Sequence, residues 1–312
     1  MKRLQKCIQW LLLFLCIGCS INKLAVSMVA DMLSGEKSTV FTGDEDPALI
    51  GSALPFALKL YESLLEADPD NTKLLLATGK AFCLYAYAYV QAPAEMLPDH
   101  EFEMKEAALM RAKKLYLRGR DYILHALSIM NKDFYTALQE NETDKALSYI
   151  KEKQVPWLYW AGAAWLGAIT TDPFDMELMI GHPTAIGFIM KVVEIDESYD
   201  NGSAHELLVS YYGSIPDAMG GSEEKARFHY GKALEYSGGL KAGPHLALAA
   251  SVCVSRQYPD EFKELLNKVL EIDVDEETEN RLLNIIAQQK AKWLLEHLED
   301  YFILEDISEE GL

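Results

Sequence analysis

The chain has 312 residues, half of them hydrophobic, which is enough to bury a substantial core without a metal or disulfide framework. Its 29 lysines and arginines face 48 aspartates and glutamates, and the resulting net charge of -19 repels phosphate backbones. General binding to nucleic acid or to anionic membrane surfaces is thereby excluded.

Taken in chain order, the first predicted element is a secretory signal over residues 1–18. Lys2, Arg3 and Lys6 form a positive start, Ile8 to Cys16 is a short apolar run, and Gly18 stands just before Cys19. The run is too short to span a bilayer, which takes about 20 apolar residues. Leu15-Cys16-Ile17-Gly18-Cys19 resembles a bacterial lipobox, with Cys16 where the pattern usually has Leu. That resemblance implies lipidation of Cys19. Loss of residues 1–18 removes three positive charges and leaves Cys83 and Cys253 as isolated thiols in apolar helical runs, where a buried structural state is expected. Residues 19–46 then hold the lipidated cysteine, an amphipathic helix near 20–33 and a short loop. The stripe Ile21, Leu24, Ala25, Met28, Val29, Met32 and Leu33 either docks on the body or lies on the membrane beside the lipid.

Residues 47–312 read as one all-α domain of long helical patterns with brief Pro, Gly and Asp punctuation and no sustained two-residue alternation. Helices are predicted near 48–67, 71–92, 101–130, 133–151, 156–170, 184–195, 203–214, 222–237, 243–255, 259–272 and 276–303, about 11–12 in all with the N-terminal one. An ending recurs along the chain: Leu65-Glu66-Ala67-Asp68, Val193-Glu194-Ile195-Asp196 and Leu270-Glu271-Ile272-Asp273, with looser copies at Leu234-Glu235-Tyr236-Ser237-Gly238 and Leu127-Ser128-Ile129. Such an ending resembles the second helix of a tetratricopeptide (TPR) repeat. Glu194, Glu235 and Glu271 follow one another near that repeat's period of about 34 residues, whereas the earlier intervals are nearly twice as long. The expected architecture is a TPR-like α-solenoid, superhelical or ring-like, whose stacked pairs share a core and offer a concave surface.

Aromatic residues are the first candidates for function. Phe82, Tyr85 and Tyr89 share a helix face, and Trp157, Tyr159, Trp160 and Trp165 are interleaved with Ala161, Gly162, Ala163 and Ala164. Such stripes either fill a core or line an apolar cleft in which their polar tips serve as hydrogen-bonding groups. A second candidate is the charge-poor run Tyr211 to Ser222. An N-cap at Ser222 explains its last residues, but not Tyr211, Tyr212, Ile215, Pro216 and Met219, which suit a ligand- or partner-facing loop. Third, Lys105, Arg111, Lys113, Lys114, Arg118 and Arg120 form either a solvated face or a dock for an acidic partner.

Catalytic patterns are absent from the sequence. His205-Glu206-Leu207-Leu208-Val209 begins like a zincin helix but lacks the second histidine that would share the metal face. Gly162 to Gly167 is followed by Ala168, so no lysine can reach a phosphate as in a P-loop. The seven histidines are scattered in the sequence. Neither an enzyme nor a resident cofactor is expected.

Several segments together resemble a known family. Ala53-Leu54-Pro55-Phe56-Ala57-Leu58-Lys59-Leu60-Tyr61-Glu62, Ala92-Pro93-Ala94-Glu95-Met96-Leu97, Leu115 to Tyr122, Tyr211 to Ser222 and Glu279 to Asn284 look like the T component (TatT) of tripartite ATP-independent periplasmic (TRAP) transporters. The resemblance implies a periplasmic, TPR-containing lipoprotein that forms a trimer and engages the transporter's solute-binding P component. It further implies a cleft or pore for a small hydrophobic ligand, to which the chemistry of Tyr85, Tyr89, Trp157, Trp160, Tyr211, Tyr212, Ile215, Pro216 and Met219 is suited. Ser20 after the lipid position favours the inner leaflet of the outer membrane over the inner membrane. The competing reading is a ligand-free TPR scaffold lipoprotein for envelope assembly.

Overall fold

The computed structural model describes residues 39–303, and the chain is all-α: every regular element among these residues is a helix. Cys19 and the amphipathic segment near 20–33 lie outside the described residues. The first helix, α1 (Pro47–Ala67), starts where the Asp46 carboxylate accepts from the amides of Ala48 at 2.9 Å and Leu49 at 3.0 Å. Pro47 occupies the first turn, where its missing N–H costs nothing. The helix ends at Asp68, whose amide donates back to the Leu64 carbonyl. Asn131 repeats this bond to Leu127, Asp196 to Val192 and Gly238 to Leu234, so the recurring sequence endings do mark helix ends.

The helix α2 (Thr72–Ala86), capped by Asn71, passes through a π turn (Tyr87–Gln91) into α3 (Ala92–Glu95). There follow α4 (Phe102–Met130), α5 (Lys132–Gln139), α6 (Thr143–Ser148), α7 (Val155–Thr171), α8 (Met176–Ile180), α9 (His182–Ile195) and α10 (Tyr199–Ser214). The remainder is α11 (Glu223–Ser237), α12 (Gly243–Leu248), a second π turn (Ala249–Cys253), α13 (Val254–Arg256), α14 (Pro259–Glu271) and α15 (Arg281–Glu296). Three boundaries correct the sequence reading. The helix expected over 133–151 is two, α5 and α6, because Asn141 turns left-handed at φ 60. A short helix, α8, occupies what read as a connection. The last helix begins at Arg281 and not at 276, after a single 3-10 turn at Thr278–Asn280.

Helices adjacent in sequence are adjacent in space: α1 packs on α2, α2 on α4, α4 on α7, α7 on α9, α9 on α10, α10 on α11, and α12 on α14 and α14 on α15. Glycines set the closest crossings. A Cβ on Gly119 would lie 2.9 Å from the Gly79 carbonyl oxygen, and one on Gly162 would lie 2.8 Å from Ile189. One core cluster joins α1, α2, α4 and α7; a second joins the end of α4 with α5 to α7, α9 and α10; a third joins α10 to α15.

The two ends of this series meet. Leu282 and Ile286 of α15 are buried in the first cluster, whereas Ala287, Ala291 and Leu294 of the same helix are buried in the third. The Leu282 amide donates to the Thr42 carbonyl at 2.9 Å, and the Arg281 guanidinium donates to the Gly43 carbonyl at 2.9 Å. The last helix thus pairs with the segment that leads into the first.

Candidate functional site

Near that closure the π turn, α3 and α4 share a polar network with the last helix. Across the π turn Tyr87, Gln91 and Glu95 recur at near four-residue spacing, so they point to one side. Gln91 is buried; its amide donates to Glu95 at 2.8 Å and its oxygen accepts from the Tyr116 hydroxyl at 2.6 Å. Lys290 of α15 reaches the other Glu95 oxygen at 2.5 Å. Burial works against the Lys290 ammonium, but Glu95 outweighs it and the pKa is raised. Burial also raises the phenols of Tyr87 and Tyr116, so both stay neutral donors.

From the other side α10 brings Glu206 and α7 brings Tyr159. Glu206 lies deep in the molecule yet keeps part of its surface accessible. It fills the space beside Gly243, where any Cβ would overlap its carboxylate. Burial raises its pKa, with Lys241 pulling the other way and Asp200 adding to the rise. The Glu206 carboxylate is within electrostatic reach of both Tyr87 and Tyr159. These groups come from distant stretches of sequence and form a polar centre coupled electrostatically through Tyr87. π turns occur often at functional sites, and here the turn aims Tyr87 inward.

The nine residues singled out from the sequence fall into separate places. Tyr85 is buried, its hydroxyl accepts from Arg111 at 3.2 Å, and Tyr89 stacks on it at 5.9 Å. Tyr89 faces α1, where Gly51 makes room for its ring; its hydroxyl has no partner and burial pushes its pKa up to about 12. Trp157 donates to the Thr72 carbonyl at 2.9 Å, a brace between α7 and the start of α2. Trp160 stands edge-on to Tyr159 at 5.3 Å and touches both the first and the second core clusters. Tyr211 and Tyr212 meet edge to face at 4.9 Å between the later helices. Ile215, Pro216 and Met219 sit on the connection from α10 to α11, where Met219 is 74% exposed. That connection is pinned: Arg256 of α13 pairs with Asp217, and Gly221 lies so close to the Ile215 carbonyl that no side chain fits.

Lys113, Arg118 and Arg120 of the basic cluster on α4 are engaged within the protein, which neither a freely solvated face nor a dock describes. Lys113 bridges Asp172 at 2.8 Å and Asp175 at 2.5 Å, Arg118 pairs with Glu62, and Arg120 lies over the Trp165 ring at 4.9 Å. Cys83 and Cys253 are buried and free, with thiols pushed up to about 12 by burial. Among the described residues no group of three or more histidines, cysteines and acids is placed to hold a metal. An open depression of about 350 Å³ between Leu240, His245, Lys268 and Ile272 contains none of the nine.

Sequence spacing also missed an imidazole pair. His205 on α10 and His229 on α11 face each other with 2.7 Å between their Nδ1 atoms. Tyr212 lies parallel to His229 and Tyr236 stacks on His205, while Glu197 is 3.6 Å from His205 Nε2. Burial pushes the His229 pKa down to about 4, with His205 adding to the effect, and burial lowers His205 as well. An unfolded histidine titrates near 6.5. As pH falls, the unfolded chain therefore takes up protons first, so the stability from this pair is complete above about pH 6.5 and is lost towards about pH 4. Urea denaturation across that range is expected to show His229→Phe losing stability less steeply than the wild type, by up to about 1.4 kcal/mol per pH unit. An unchanged slope would show that the pair does not titrate on unfolding.

Comparison with known proteins gives the family. Residues 43–302 match the family described as TRAP transporter T-component. An uncharacterized protein of Treponema pallidum (strain Nichols) is 32% identical over 305 residues, covering 93% of this chain and 94% of that protein. The match spans all the helices from α1 to α15 and both sides of the polar centre. The chain belongs to the TRAP transporter T-component family.

Proposed function

We propose that the protein is a lipoprotein anchored through Cys19 that serves a TRAP transporter by docking its periplasmic solute-binding P component and holding a small ligand inside the helical array. In this reading residues 1–18 are the signal, residues 19–46 the tether, and residues 47–312 a TPR-like body that assembles as a trimer. The family match over residues 43–302 carries the transport role. Docking is assigned to the connection Ile215 to Gly221, because Met219 is exposed there on a loop held by Arg256 and by the close approach at Gly221. An apolar side chain held out to solvent on a fixed loop is what a partner surface needs. The ligand is assigned to the helical interior where Trp160 meets Tyr159 edge-on at 5.3 Å.

Met219 is a cleaner probe of docking than Tyr212, which is packed against His229 and under Lys225 and contributes to the fold. Met219→Asp is expected to weaken binding to the cognate solute-binding protein about tenfold or more, with the melting temperature unchanged. Calorimetric titration checks this, and wild-type affinity in the variant would remove the loop from the docking surface.

A further inference from the structure

We infer that the amphipathic segment 20–33 packs antiparallel along an outer face of α1. That helix carries two apolar stripes. Ile50, Leu54, Leu58, Tyr61 and Leu65 are buried in the cores. Leu49, Ala53, Phe56 and Leu60 form the second stripe and are exposed, Leu49 by 57%, Phe56 by 75% and Leu60 by 37%. A helix apolar over so much of its circumference belongs in a protein interior, yet no described residue covers this stripe. Its members follow one another at steps of four, three and four residues, the spacing of a coiled-coil seam that seats the side chains of a second helix.

The segment just upstream has the matching half. Ile21, Ala25, Met28 and Met32 repeat the same steps, and as helices both stripes are about 17 Å long. Run antiparallel, Ile21 meets Leu60, Ala25 meets Phe56, Met28 meets Ala53 and Met32 meets Leu49, so each alanine faces a large side chain. Large against small is what lets two helices interdigitate. The chain path gives the same direction. Residues 34–38 extend to at most about 18 Å, and they lead to Thr39, whose carbonyl accepts from the Gly43 amide at 2.7 Å shortly before α1. Leu33 is thereby held near the start of α1, and the upstream stripe runs back towards its end. A second copy is a poorer occupant, because an interface between copies needs about 800 Å² per partner and the four side chains on this one helix fall short of it. An anionic membrane surface is disfavoured by Asp44, Glu45 and Asp46 at the head of α1. Cys19 then stands beside the C-terminal end of α1, a packing that does not depend on whether it carries a lipid or on what the transporter binds.

The test uses the full chain in detergent and cysteine pairs oxidised with copper phenanthroline, read on non-reducing gels and by peptide mass spectrometry. Met28→Cys with Ala53→Cys is expected to form a disulfide within one chain. Ser27→Cys with Ala53→Cys turns the upstream thiol away from the seam and is expected to react about tenfold more slowly or less, since a disulfide needs Cβ atoms about 4 Å apart. No bond in the Met28 pair, equal rates for the two pairs, or bonds formed mainly between chains, as for a second copy on the stripe, would each overturn the inference. In a second measurement trypsin is expected to cut after Lys23 about tenfold more slowly than after Lys37, which lies in the connection. Phe56→Asp, a change on the exposed face of α1, is expected to remove that protection. Equal cutting at the two lysines in the wild type, or protection that persists in Phe56→Asp, the result for a segment lying on detergent or lipid, would likewise overturn it.

Discussion

Gly119→Leu is expected to leave the protein largely unfolded at physiological temperature. Where α2 crosses α4, a Cβ at position 119 would already lie 2.9 Å from the Gly79 carbonyl oxygen, 3.2 Å from Phe82 Cβ and 3.3 Å from Cys83 Sγ. Backbone sits on one side of that contact and the base of a packed side chain on the other, so neither can swing aside. A leucine there must push two long helices apart along a seam that also holds Ile123, which is fully buried. Overpacking by a methylene or two costs about 1–3 kcal/mol, and separating a whole helix pair costs more, a large part of the usual 5–15 kcal/mol of roughly estimated total stability. Gly231→Leu is the control, because a Cβ there meets nothing within 4 Å. Urea denaturation of the two variants should separate them by about 3 kcal/mol or more; similar midpoints would mean that the crossing is looser than described.

The second large effect is expected at the closure. Lys290→Met leaves the Glu95 carboxylate with the Gln91 amide as its remaining hydrogen-bond partner in the polar network. Removing one member of a buried pair costs about 3–5 kcal/mol, and the Lys290 and Glu95 side chains, 16% and 31% accessible, place this pair near 2–3 kcal/mol, as a rough value. Glu95→Gln combined with Lys290→Met should recover most of the loss, since the remaining groups are neutral and of similar volume. A double-mutant cycle in urea checks the coupling. If the two losses simply add, the pair does not couple α3 to α15.

Helices were legible in the sequence because period and punctuation are local properties. Ser222 caps where it read as a cap, and the endings at Asp68 and Asp196 do terminate helices. Asn141 broke a predicted helix because a single left-handed residue leaves no trace in apolar periodicity. The polar centre was less legible. Helical spacing grouped Tyr85 with Tyr89 and left Tyr87 aside, yet Tyr87 is the member coupled electrostatically to Lys290, Glu95 and Glu206. Glu206 read as part of an incomplete metal motif, whereas its carboxylate lies against Gly243 at the start of α12, a contact between remote residues. His205 and His229 likewise meet only because α11 folds back on α10. The close approach of Gly79 and Gly119 depends on which helices cross, so local periodicity carries no sign of it.

The joint between α15 and the residues before α1 also bears on how this molecule comes apart. A linear stack of helical repeats frays from its terminal units, because each end has a neighbour on one side only. Here Arg281 and Leu282 hold Gly43 and Thr42, and α15 contributes to the cores at both extremities. Among the described residues no terminal unit is left to peel away, so loss of structure there has no cheap starting place and should proceed as a single cooperative event.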